Sequence, residues 1–215
     1  CLVSRNPSAP SAAIEIHTDA GPLRDARGLE GTAELAGRCL TEGAAGRSVG
    51  AIAARIEDVG GELRTGSNGL SMTLLAEHVP QAMGLAADLL RRPGFPTAGV
   101  RLRRELLLDG LRADLELPEV RARQALRRLI YGRHLMARPG GGQPKTVGRL
   151  RRGHLADFHA RWCRPDRVVV SVAGDVGLAP TLAAVQGRFG SWNGVRREVP
   201  ALPEVPDRAR PAERS

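Results

Sequence analysis

Glu34 and Arg38 stand four residues apart, glutamate first, the order in which a helix sets a carboxylate against a guanidinium most favourably. Such a pair is either a solvated surface contact or a polar feature of a cleft wall. His159 and Cys163 share that spacing and could offer an imidazole and a thiolate to one metal ion. His154 and His159 are five apart and point in different directions on a helix. His17, His78 and His134 stand singly, and none forms a motif. Asp175, after Gly174, ends an apolar run, where a turn-forming role outweighs a catalytic one. The three cysteines, Cys1, Cys39 and Cys163, lie far apart without a Cys-x-x-Cys pair. An odd, sparse set fits a reducing compartment better than a disulfide framework, and no zinc site is assembled from it.

The chemistry sits in a basic chain. Net charge is +9 over 215 residues, and every basic residue except Lys145 is arginine. These arginines are scattered in short clusters, such as Arg101, Arg103 and Arg104, and aromatics make up only 3%. A nucleic-acid binder concentrates basic residues on one face and interleaves stacking rings, so no nucleic-acid partner is expected. Hydrophobic residues at 42% and charged residues at 26% describe an ordinary globular chain. The longest apolar runs fall far short of the roughly 20 residues of a membrane helix, so no membrane partner is expected either. The chain starts at Cys1 rather than Met, which suggests a piece of a longer protein.

Periodicity places these residues on elements. Residues 12–18 alternate as a strand. Residues 29–40 turn helical, with Leu29, Ala33, Ala36 and Leu40 on one side. Ser48 is placed to cap a second helix that carries Ile52, Ile56 and Val59 and stops at Gly60 and Gly61. Residues 62–65 and 70–75 read as a hairpin around Gly66, Ser67, Asn68 and Gly69. A helix follows from Pro80 to about residue 90, and a long one spans 97–131 with a break or kink at Pro118. A helix over 152–163, a strand over 167–173 and a helix over 179–189 complete the pattern. The resulting expectation is an α+β domain with one mainly antiparallel sheet and helices packed on one face. It would occupy residues 1–193, with a proline-rich linker over 194–215.

The stretch Gly-Thr-Ala-Glu-Leu-Ala-Gly-Arg-Cys-Leu-Thr-Glu-Gly over residues 31–43 closely resembles the signature helix of the insulinase-type (M16, pitrilysin) metallopeptidase family, which includes mitochondrial processing peptidase. Landmarks follow in the family's order. Ile56-Glu57 and Gly60-Gly61 precede the hairpin, and Pro93 and Phe95 lead to Arg104-Glu105. Asp157-Phe-His-Ala-Arg-Trp-Cys-Arg-Pro165 runs into the strand, and Phe189-Gly-Ser-Trp192 closes the domain. The resemblance implies a metallohydrolase domain of the LuxS/MPP-like kind. Such domains usually come as two similar halves, in one chain or two subunits, that close around an unfolded peptide.

Active members carry His-x-x-Glu-His on the first helix. Residues at i and i+4 share a face, so two histidines bind Zn²⁺ and the glutamate activates its water, while a later glutamate supplies the third ligand. Here the resemblance aligns those positions with Glu34, Gly37, Arg38 and Gly110, or with Asp109 if the register shifts by one. Both histidines and the base are gone, so no zinc cofactor and no hydrolysis by this half alone are expected. Peptides in the family add to a strand edge by main-chain hydrogen bonds. The matching residues are Glu62, Leu63, Arg64, Thr65, Gly66 and Ser67, and active members tend to carry asparagine where Arg64 stands. The expected role is a non-catalytic homologue that pairs with a zinc-bearing M16 half or subunit and helps hold unfolded peptide. A purely structural core subunit and a divergent zinc endopeptidase are the alternatives. The arginine bias, the cysteine arithmetic and the family together suggest a bacterial cytoplasmic location.

Overall fold

The structure is a computed structural model that describes residues 1–194 and 201–204. It opens with β1 (Leu2–Arg5), β2 (Ser11–His17) and α1 (Thr32–Arg38). A small ribbon of β3 (Gly43–Ala44) and β4 (Arg47–Ser48) leads into α2 (Val49–Asp58). The hairpin β5 (Glu62–Gly66) and β6 (Gly69–Leu75) precedes α3 (Val79–Arg91), α4 (Thr97–Glu116) and α5 (Pro118–Tyr131). The short α6 (Pro144–Val147), then α7 (Arg152–Trp162), β7 (Val169–Gly174) and α8 (Leu178–Phe189) complete the described residues. The proline-rich segment expected over 194–215 falls outside them, apart from 194 and 201–204.

Period-two patterning builds the sheet. In β2, Ala12, Ile14 and Ile16 are buried while Ala13, Glu15 and His17 are exposed. Leu70, Met72 and Leu74 of β6 and Val170 and Val172 of β7 point to the same buried side. The five strands run in the order β1-β7-β2-β6-β5. Their registers align Val3, Val172, Ile14, Met72 and Leu63 in one row across the whole sheet. Cross-strand rows of this kind fix register, because a slip by one residue would turn every apolar side chain to the solvent face. Helices cover the buried face, with α3 against β6 and α8, and α1 against α7 and α4.

The sheet is mainly antiparallel, as expected, with one addition. β1 pairs parallel to β7, so residues 2–5 form an edge strand that their short, unpatterned sequence does not announce. The break in the long helix falls where proline chemistry puts it. Leu117, which precedes Pro118, takes the extended conformation (φ −80°, ψ 118°) that proline's ring imposes on its neighbour. Ser48 caps α2, its Oγ accepting from the Ala51 amide at 3.4 Å. No helix among the described residues is long and apolar enough to cross a membrane.

Ile14 lies between Met72 and Val172 with no solvent exposure, so Ile14→Ala should lower the free energy of unfolding by about 2–5 kcal/mol. Equilibrium denaturant unfolding of the two chains measures it. A change below about 1 kcal/mol would mean that this row does not anchor the sheet.

Candidate functional site

Helix α1 is shorter than its apolar pattern suggests, because its start is set by a buried carboxylate. Asp25 accepts from the Gly31 amide through Oδ2 at 2.7 Å and from the Ala33 amide through Oδ1 at 2.9 Å. It thereby satisfies two amides that a helix start leaves open. The carboxyl is 6% exposed, and burial pushes its pKa up to about 6, with the two amides pulling the other way. Gly31 holds a left-handed conformation (φ +100°), and a Cβ there would press on Val147 Cγ2 at 2.7 Å. The Thr146 hydroxyl donates to the Glu30 carbonyl at 2.7 Å and ties the α6 loop to the same point. Sequence reasoning missed Asp25. Its only signal is an aspartate six residues ahead of a glycine-led helix.

Three of the four motif positions come together. Glu34 and Arg38 on α1, and Gly110 on α4, line one cavity of about 380 Å³. Glu34 Oε1 accepts from Arg38 Nε at 2.7 Å. Asp109 is absent from that lining and instead pairs with Arg112 at 3.0 Å, its side chain 71% exposed. Gly37 faces another way. A Cβ built on it would overlap the carbonyl oxygen of Gly66, at the end of β5, and would lie 2.9 Å from the Ser67 amide. At the position that the family resemblance aligns with the general base, hairpin backbone thus takes the space of a side chain.

Zinc does not fit these positions. They offer one carboxylate already matched by a guanidinium, two glycines, and no room for a side chain at Gly37. Among the described residues, no group of three or more His, Cys, Asp or Glu side chains could hold a metal. His159 and Cys163 do meet, at the Leu90 carbonyl, to which the thiol donates at 3.5 Å. Burial pushes the thiol up to about 12 and the imidazole down to about 4, with the Leu90 carbonyl opposing the latter, and His159 Nε2 has no hydrogen-bond partner among the described residues. His159 also packs its ring edge on Phe95, 5.8 Å between centroids. These are the properties of a neutral core pair. The remaining histidines serve locally. His154 accepts from the Arg151 amide at 3.2 Å, and His134 from the Met136 amide at 3.1 Å.

The expected peptide strand lies at the opposite end of the sheet from β1. Glu62, Leu63, Arg64, Thr65 and Gly66 form β5, and Ser67 begins the turn. No strand pairs with the outer side of β5 among the described residues, so alternate main-chain groups there are open. Exposed Arg64 donates to Glu62 at 2.8 Å. Gly66 and Ser67 press against α1, which places the end of the strand beside the degenerate motif.

Two tests follow from this packing. Gly37→Ala forces the hairpin and α1 apart and should cost about 1–3 kcal/mol, read from thermal or denaturant unfolding. Asp25 has a folded-state pKa above its unfolded value, so the folded chain holds the proton more tightly. The stability from this group is fully present below pH 3.8 and is lost as pH rises through about 6. The total loss is at most about 3 kcal/mol. Unfolding free energies measured between pH 4 and 7 should show this fall in the parent, and Asp25→Asn should lack it.

A model of the insulinase family (peptidase family M16) matches residues 1–136, and a model of the peptidase M16 inactive domain matches residues 149–214. A zinc protease of Mycobacterium leprae is 28% identical over 190 residues, covering 86% of this chain and 42% of that protein. The mitochondrial-processing peptidase subunit beta of Saccharomyces cerevisiae is 24% identical, covering 86% and 41%. The chain therefore spans less than half the length of these relatives. A crystal structure of a peptidase M16 inactive domain from Pseudomonas fluorescens superposes with a TM-score of 0.81 at 23% identity, over 94% of this chain and 51% of that one. With the five-stranded sheet, the signature helix and these matches in agreement, the chain belongs to the insulinase (M16) peptidase family.

Proposed function

We propose that this chain is a non-catalytic M16 half that pairs with a zinc-bearing M16 half or subunit and helps hold unfolded peptide in the chamber between them. The observation that carries the reading is the state of α1. Glu34 is neutralised by Arg38, and the Gly66 backbone fills the place beside Gly37, while β5 keeps an open edge a few residues away. The loss of zinc chemistry removes nothing that strand addition requires, because main-chain hydrogen bonds along an edge need no particular side chain. The length of the relatives supports a second half, either downstream of this domain or on another chain. On this reading residues 1–193 are the peptidase-like domain, and residues 194–215 lead toward that half.

The test has two parts. Elemental analysis after dialysis against trace zinc should find no stoichiometric metal, and the chain alone should not cleave unfolded peptide. A photo-crosslinker at Leu63 should capture peptide when a zinc-bearing M16 half is present. About one zinc per chain with cleavage would overturn the non-catalytic reading. Absence of crosslinking in the reconstituted pair would leave a scaffold subunit instead.

A further inference from the structure

The cavity at the degenerate motif does not stand alone. It adjoins a second cavity of about 370 Å³ across Ala137 and Pro139, and the two form one groove along α5. Helix spacing builds its wall, since Val120, Arg123, Gln124 and Arg127 recur at three and four residues and share one face of α5. The groove's charges do not cancel. Glu34 is taken by Arg38, Glu30 by Arg138 at 3.6 Å, and Arg127 is committed to the Met136 carbonyl at 2.9 and 3.1 Å. Among the described residues, Arg123, Arg128 and Arg133 have no ion-pair partner, and Asp114 is the one carboxylate in the groove lining without one.

The rim already engages a main-chain carbonyl. His134 Nδ1 accepts from the Met136 amide, so Nε2 carries the proton and donates to the Pro203 carbonyl at 2.9 Å. That carbonyl belongs to a proline-rich segment of this chain, and Glu204 comes next. The groove lining contains no Phe, Tyr or Trp on which a base could stack.

We infer that this groove binds an acidic, extended peptide segment, its carboxylates set against Arg123, Arg128 and Arg133. The inference rests on reading the chain as a peptide-holding half and gives that half a substrate class.

Fluorescence anisotropy with the full chain tests it, using three labelled probes of ten units: a Glu/Ser peptide, its Lys/Ser counterpart, and a single-stranded oligonucleotide. The Glu/Ser peptide alone should bind, with an affinity that falls steeply as salt is raised. R123E and R133E should each weaken it about tenfold at low salt. R55E, an equal charge change at an exposed residue of α2 outside the groove, should change it less than twofold. Equal loss in R55E would reduce the effect to net charge and overturn the groove. Binding of the oligonucleotide as tightly as the Glu/Ser peptide, with the same arginine dependence, would overturn the substrate class. Failure of the acidic peptide while a neutral peptide still crosslinks to Leu63 would sink this inference and leave the proposed function standing. Failure of both would remove the two together.

Discussion

The approach of α1 to the hairpin backbone at Gly37 and Gly66 constrains the rest of the site. Helix and strand end come so close that no side chain can stand between them. The helix is held there from its other end, where Asp25 binds two of its first amides and the Thr146 hydroxyl fastens the α6 loop beside it. With both ends fixed, the face bearing Glu34 and Arg38 turns toward α4 and α5 instead of toward the strand. The motif positions are therefore divided between a polar groove and a tight backbone contact. An active zinc site needs them converged.

Electrostatics follows from the same geometry. A metal site gathers several donors around one large positive charge and needs a side chain free to handle protons. Here a single ion pair occupies the ground, at an exposure where such pairs contribute only a few tenths of a kcal/mol. The pair shapes the groove wall and adds little to stability. The weight of the fold rests on the apolar row through Ile14 and on the helices above it.

Much of this was legible in the residues. Alternation in β2 and β6, the serine cap of α2 and the break at Pro118 each have a local cause that sequence displays directly. The ordered landmarks pointed to the family, and the histidines' absence from residues 34 and 38 was plain. What stayed hidden depends on contacts distant in sequence. β1 has no pattern of its own and exists because β7 offers an edge some 170 residues later. Asp25 becomes a cap only once α1 sits above it, and the groove arginines are ordinary surface residues until α5 folds back along α4.

The strand order also sets a schedule for a chain leaving the ribosome. β2, β5 and β6 all lie within residues 11–75; β5 and β6 close antiparallel through a two-residue turn, the kind of local contact that forms early, and β2 then pairs with β6 across some fifty intervening residues. β7 comes nearly a hundred residues later, and β1, although made first, has nothing to pair with until β7 is seated. The sheet therefore grows outward from its middle. During synthesis the β1 segment has no strand partner while the far side of the fold is still being made.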